Sequence, residues 1–451
     1  MQLNLATALN GAVRSMQSAQ FALNVSSRNI ARANDPTYTR QVVVPDGGTV
    51  NGGPGVQRLR DIFLDTQYRL AAGSEGEAGV QKDVLSQVED VFGDPVNGGV
   101  GKTLNEFFNQ WQNLAENPAD PIVRMQVVAA GQSFVTEVKQ AYSQLQTIQG
   151  SVNSQLADKV NQVNDKLQQI YDLNLSISDA GRTNMSDADL RDKRDALLDD
   201  LAKLTGAKVR ENPDSTVSVF IGNKTALDGP TVKKLSLVTK AGDTDPSVVW
   251  ANDLVGDYGG GGQITGLVAV RENQVKPIMN DLDKFTQDVV AEVNSYHGTA
   301  NVTDPAKTNF FVVAGGPMNI AVNPAINANT LEPGYSGDPA DGTRARDIAG
   351  VADTPMFNSI VLPDRVLSPK EYYRDLIGYI GSTTQMVNNN QEIAQAHVDA
   401  AQQHRQSEWG VSLDEEASGL MLQQQAFAAA ARVINTADQM MNSLLTSVGI
   451  S

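Results

Sequence analysis

Residues 412–448 read SLDEEASGLMLQQQAFAAAARVINTADQMMNSLLTSV, and their spacing sets the architecture. Leu413, Leu420, Phe427, Ile434, Met441 and Val448 recur every seven residues, with Ala417, Ala430, Ala437 and Leu444 flanking that row. A seven-residue apolar repeat marks a helix that packs lengthwise on a partner helix. Gly410 closes the preceding helix, and Ser412 with Glu415 has the pattern of a capping box that opens the new one.

The other end of the chain carries a matching seam: Leu5, Leu9, Ala12, Met16, Ala19, Leu23, Ser26, Ile30 and Ala33, in steps of four and three. Residues 1–40 contain four arginines and one aspartate, a net +3; residues 412–451 contain four acids and one arginine, a net −3. Two apolar seams of opposite charge are expected to pair antiparallel, as the chain leaves along one and returns along the other. The charged candidates are Arg14, Arg28 and Arg32 against Asp414, Glu415, Glu416 and Asp438. Antiparallel pairing places Arg28 and Arg32 near Asp414–Glu416, and Arg14 near Asp438. Two independent amphipathic helices are the alternative.

Working inward, Asp120-Pro121 is an N-cap followed by proline in the first turn. From there an apolar stripe runs Val127, Phe134, Val138, Leu145, Ile148, Val152, Leu156, Val160, Val163, Leu167, Ile170, Ile177. It predicts one rod about 80 Å long at 1.5 Å per residue. Shorter helices are expected around Leu104–Leu114, with Phe107, Phe108 and Trp111 as core, and over Ser186–Leu204. Alternation at Val209, Val217, Val219 and Ile221 between Asn-Pro and Gly-Asn turns reads as strands. Residues 256–262, GDYGGGG, read as a flexible connection, helix returns over about 266–297, and 368–408 is helical again.

The expected fold is therefore mainly α with β insertions, elongated and multi-domain. It has a tip of paired terminal helices (1–40 and 411–451), a helical body (41–205, 266–299 and 367–410), a β-rich segment (206–265) and a small β or irregular outer domain (300–366).

The composition narrows function. Among 451 residues, 52 acids against 35 bases give a net charge of −17, which argues against nucleic acid and its need for a basic surface. There is no cysteine, and the only histidines are His297, His397 and His404. No run of 18 apolar residues implies a membrane span. The first 30 residues lack an apolar core and cleavage site, so a secreted fate needs a route that removes no signal peptide.

Sites of chemistry are thin. Gly98-Gly99-Val100-Gly101-Lys102-Thr103 resembles the tail of a phosphate loop, but Val96 stands where the pattern needs its first glycine. His397 and His404 lie seven apart among polar residues, not at metal-ligand spacing. Arg191, Asp192, Lys193, Arg194, Asp195, Asp199 and Asp200 read as a solvated helix face with an Arg191–Asp195 pair. No catalytic residue, cofactor or metal is expected.

Asn29-Ile30-Ala31-Arg32-Ala33-Asn34-Asp35-Pro36-Thr37-Tyr38-Thr39-Arg40-Gln41 resembles the rod/hook motif of flagellar axial proteins, with Thr37 where glycine is usual. Gly410-Val411-Ser412-Leu413-Asp414-Glu415-Glu416-Ala417 is similar to the signature of the FlgK family of hook-associated proteins. Gln425-Ala426-Phe427, Val433-Ile434, Asn117-Pro118 with Arg124, Leu190–Leu198 and Gly262–Arg271 resemble that family as well.

The resemblance implies a structural subunit of the hook–filament junction. Its copies form a ring with the terminal helices inward and the β insertion outward. Its partners are then further copies of itself, the hook protein, the next junction protein and an export chaperone, with no nucleic acid and no membrane. The location is the extracellular flagellum, reached by type III export. The assembly interface is expected on Leu5, Leu9, Met16, Leu23, Ile30, Leu413, Leu420, Phe427, Ile434, Met441 and Val448. A hook or rod subunit, a cell-wall hydrolase carried on the axial structure, and a coiled-coil scaffold unrelated to flagella are the competing readings.

Overall fold

The computed structural model describes residues 5–35, 37–44, 55–93, 98–183, 187–251, 258–298, 309–313, 317–361 and 364–447. The chain opens with helix α1 (Leu5–Ala31), then a hairpin of β1 (Gln41–Val44) and β2 (Gly55–Arg58) in which Gln41 lies opposite Arg58. That hairpin interrupts the segment expected to be helical from 41 onward. Its short apolar run, Val42–Val44, pairs back on β2 instead of extending a helix.

The body follows as α2 (Ile62–Phe92), α3 (Gly99–Glu116), α4 (Pro121–Thr183) and α5 (Ala188–Thr205). Helix α4 has 63 residues, a rod of about 95 Å. Every member of its apolar stripe from Val127 to Ile177 is buried. No interior proline stops it, and the stripe never leaves its face for long. Phe107, Phe108 and Trp111 of α3 meet Phe134, Phe310 and Phe311 in an aromatic core.

The β-rich segment contains a four-stranded antiparallel sheet, β3 (Lys208–Glu211), β4 (Val217–Ile221), β5 (Lys224–Asp228) and β6 (Thr231–Val232). A separate hairpin pairs β7 (Leu235–Val238) with β8 (Ser247–Trp250). The described part of the glycine run is not a flexible connection. Tyr258 is buried, and Gly262, at φ +67°, sits so close to α5 that a Cβ would lie 2.6 Å from the Lys203 carbonyl oxygen. A Cβ on Gly222 would collide with the Gly259 carbonyl. The glycines are there because two backbones touch, which local composition does not reveal.

Helix α6 (Gly262–Val270) passes through a π turn, Arg271–Val275, into α7 (Lys276–His297). The turn buries Arg271, whose guanidinium donates to Asn153 Oδ1 (2.6 Å) and the Pro246 carbonyl (2.9 Å) and so ties the β7–β8 loop to α4. The outer segment holds β9 (Phe311–Val313), β10 (Ile320–Val322), α8 (Thr343–Gly350), β11 (Phe357–Asn358) and β12 (Val366–Leu367). It is therefore part helical. Helix α9 (Pro369–Trp409) starts at a full capping box between Ser368 and Glu371 and returns along α2. Helix α10 (Leu413–Ser447) completes the chain.

Candidate assembly tip and its joint with the body

Helices α1 and α10 pack on each other. The end of the α1 arm lies beside the start of α10, so the pair is antiparallel. On α10 the face toward α1 is made by Glu416, Leu420, Gln423, Phe427, Ala430, Ile434 and Ala437, in steps of three and four. Ala430 and Ala437 are buried, while Leu420, Phe427 and Ile434 are half-buried around them. On α1 the buried positions are Ala12, Ala19, Ala22, Val25 and Asn29, with Leu9, Met16, Leu23 and Ile30 half-buried alongside. Small residues hold the centre because alanine lets two helix backbones approach closely. Leu413 and Met441 are exposed, outside this seam. The Leu5 side chain and Val448 lie outside the described residues.

A second stripe on α10, Leu422, Ala426, Ala429 and Val433, keeps the same four-and-three rhythm, resumes one heptad later at Met440, and faces away from α1. It is open: Leu422 is 64% exposed, Val433 47% and Met440 55%.

The turn after α1 is built from the motif that carries the family resemblance. Asn29 is buried, and its amide acts as a surrogate strand: Nδ2 donates to the Gln41 carbonyl (2.9 Å) while Oδ1 accepts from Gln41 N (3.1 Å). The same Oδ1 accepts from the Tyr38 hydroxyl at 2.7 Å. Burial pushes the Tyr38 hydroxyl up to about 12, so it remains a donor. Thr37 needs no left-handed backbone, since Asp35 Oδ1 closes the turn by accepting from Thr37 N (2.9 Å) and Oγ1 (2.7 Å).

The charge pairing differs from the expectation. Glu416 and Glu415 are held by Arg40, at 2.8 Å each, not by Arg28 or Arg32. Arg32 instead pairs with Asp189 of α5 (3.2 Å) and lies over the Tyr38 ring. The reason is geometric: α1 stops at Ala31, and the arginine opposite the start of α10 is Arg40, beyond the Asp35–Thr37 turn. Among the described residues Arg14 and Asp438 make no ion pair, and both are exposed. The capping box at Ser412 is half made, with Glu415 N donating to Ser412 Oγ at 3.4 Å.

Below the turn lies a buried ionic cluster. Arg58 reaches Asp192 (3.0 Å) and Asp195 (2.5 Å). Arg60 pairs with Asp65 and Asp195, and Arg69 with Asp195 (3.6 Å) and Asp199 (2.7 Å). Arg405 pairs with Asp65 and Asp199, both at 2.7 Å, with its guanidinium 3.9 Å from the centre of the Tyr68 ring. The run Arg191–Asp200 is therefore not a solvated face: Asp192 and Arg194 are buried, and Asp195 spends its charge on remote arginines while Arg191 turns to Asp187 and Glu211. Burial alone would raise Asp195, but Arg60, Arg58, Arg194 and Arg69 hold its carboxyl below the ordinary value. Asp192, with burial outweighing Arg58, is raised. Sequence reading missed Arg40, Arg58, Arg60, Arg69 and Arg405. The visible signal was three arginines, Arg58, Arg60 and Arg69, around a helix start at Asp61.

The described residues contain no group of three or more His, Cys, Asp or Glu side chains set to hold a metal ion, and no helix long and apolar enough to cross a membrane. His397 and His404 line a shallow apolar groove between α2 and α9 with Leu70 and Ile393.

Comparison with known proteins places this architecture. The model of the flagellar hook-associated protein FlgK helical domain matches residues 85–311. A model of the C-terminal region of flagellar basal body rod FlgEFG proteins matches residues 402–447. Flagellar hook-associated protein 1 of Bacillus subtilis is 27% identical over 98% of this chain and 98% of its own length. The Salmonella typhimurium protein of that name is 26% identical over 70% of this chain, which spans 60% of that relative. The structure of the flagellar hook junction protein FlgK from Burkholderia pseudomallei superposes with a TM-score of 0.65 at 15% identity, covering 76% of this chain and all of that one.

Proposed function

Because the chain belongs to the flagellar hook-associated protein FlgK family, whose helical-domain model spans residues 85–311, we propose that it is a structural subunit of the junction between hook and filament, polymerised through its terminal helices. As a member of that family it is a component of the bacterial flagellum and not an enzyme, and the hydrolase reading is set aside.

The observation that carries the assembly reading is the tip. Its first heptad seam is consumed within the chain, and its second, through Leu422, Val433 and Met440, is uncovered. A helix with two apolar stripes fits a position between a partner in its own chain and a neighbouring copy. The rod-protein match at 402–447 lies over this tip, consistent with a tip shared by axial proteins that differ in their bodies. On this reading the partners are other copies in a ring, the hook protein below and the next junction protein above. Export through the flagellar type III route with a chaperone, without loss of a signal peptide, completes the proposal.

The test is electron microscopy of cells lacking the gene. Bare hooks with flagellin shed to the medium are expected. Filaments attached at the normal frequency would refute the junction role.

A further inference from the structure

We propose that the acidic face of α5 is a latch that fixes the angle between tip and body. Helices α1 and α10 pack mainly on each other and on β1, so the tip's orientation depends on its two connections to the body. One runs outward through residues 32–61, the other returns through 405–412. Both end on the same helix. Asp189, Asp192, Asp195 and Asp199 follow at spacings of three, three and four, which puts them on one face of α5. The outward connection reaches that face through Arg32, Arg58 and Arg60, and through Thr39 N, which donates to Asp192 Oδ2 at 3.4 Å. The return connection reaches it through Arg405.

The two connections are also tied together. Arg40 N donates to the Trp409 carbonyl at 3.4 Å, and its guanidinium holds Glu415 and Glu416. The Trp409 ring lies 5.9 Å from the guanidinium carbons of both Arg60 and Arg405. A cleft of about 800 Å³ separates these segments from α5 and is lined largely by polar groups, so the tip has room to swing once the arginines release. Planar guanidinium–carboxylate pairs fix direction as well as distance. Buried pairs of this kind specify geometry more than they add stability over an apolar alternative. Loss of the latch therefore loosens the angle while the body, though destabilised by the arginines left unpaired, stays folded. Its consequence for ring assembly rests on the reading of the tip given above; the latch itself does not.

The chain has no cysteine, so nitroxide pairs can be placed freely. Labels at Gln20→Cys in α1 and Ser74→Cys in α2 report the tip–body distance, and labels at Gln20→Cys and Asn435→Cys report the tip alone. Pulsed electron spin resonance on the full chain should give a narrow tip–body distribution that widens at least twofold in Asp195→Asn/Asp199→Asn. The strap-side variant Arg58→Gln should widen it in the same direction, with the tip-internal distance unchanged in both. A broad distribution in the parent chain, an unchanged width in both variants, or a body that unfolds in both would overturn the latch.

Discussion

Arg40 Nε donates to Glu416 Oε1 at 2.8 Å across 376 positions of sequence, and this contact joins the two ends of the chain at the base of the tip. Glu416 is buried and Arg40 partly exposed, so the pair is worth more than a surface bridge and less than a fully buried one. Arg40→Glu should destabilise the tip by about 1–3 kcal/mol, read as faster amide exchange over α1 and the first turns of α10. Adding Glu416→Arg should restore part of the protection. No effect of either change would remove Arg40 from the tip's design.

The seam itself is tested by Leu420→Asp or Ile434→Asp. Each puts a charge on the half-buried heptad face that receives α1. Burying an apolar side chain contributes about 1.5–3 kcal/mol, and a charge left unpaired there costs more. The tip helices should separate, lowering helical content, while the near-ultraviolet signal of Trp111 and Trp250 in the body stays. Loss of the body signal would mean that tip and body do not fold as separable units.

The buried cluster has a defined acid response. Asp195 is held below its ordinary value of 3.8, so its contribution is present above that value and is lost as pH falls through the lower folded one. Asp192 is raised, so it protonates first, and its protonation relieves a cost of folding. Carboxyl carbon shifts followed by NMR should therefore show Asp192 titrating above Asp195, with the joint loosening only after the second step. The reverse order would contradict the assigned partners. Asp195→Ala, which strands Arg58 and Arg60, should cost about 3–5 kcal/mol in urea unfolding.

Gly262→Ala should destabilise the seat of the β-rich segment by more than about 1 kcal/mol, because the backbone is left-handed and the new methyl meets the α5 carbonyls. Gly229→Ala is the control: its φ is +52° but nothing lies within 4 Å of the new atom. Equal losses in urea unfolding would mean that backbone strain alone, not close approach, explains Gly262.

The α4 rod was legible from sequence because its signal repeats every one or two turns from Val127 to Ile177, and every member is buried. The burial of Asp192 and the partial burial of Asp195 and Asp199 were not, because a charge run looks solvated until arginines from β2, α2 and α9 arrive by tertiary folding. The glycine run failed for the same reason: Gly222 and Gly259 touch only after the sheet has folded back. At the tip Leu420, Phe427 and Ile434 of the expected heptad row lie on the half-buried face while Leu413 and Met441 fall outside it, and Arg40 escaped notice because it lies past the helix end, where a helical projection no longer applies.

On the proposed function, this chain sits at the hook–filament boundary with α10 between α1 of its own chain and a neighbouring copy. A reconstruction of that boundary at side-chain resolution tests it most directly. Paired α1 and α10 are expected in each subunit, with Leu422, Val433 and Met440 packed on the next copy. Finding those three side chains free of any neighbouring copy, or the boundary built without this chain, would contradict it.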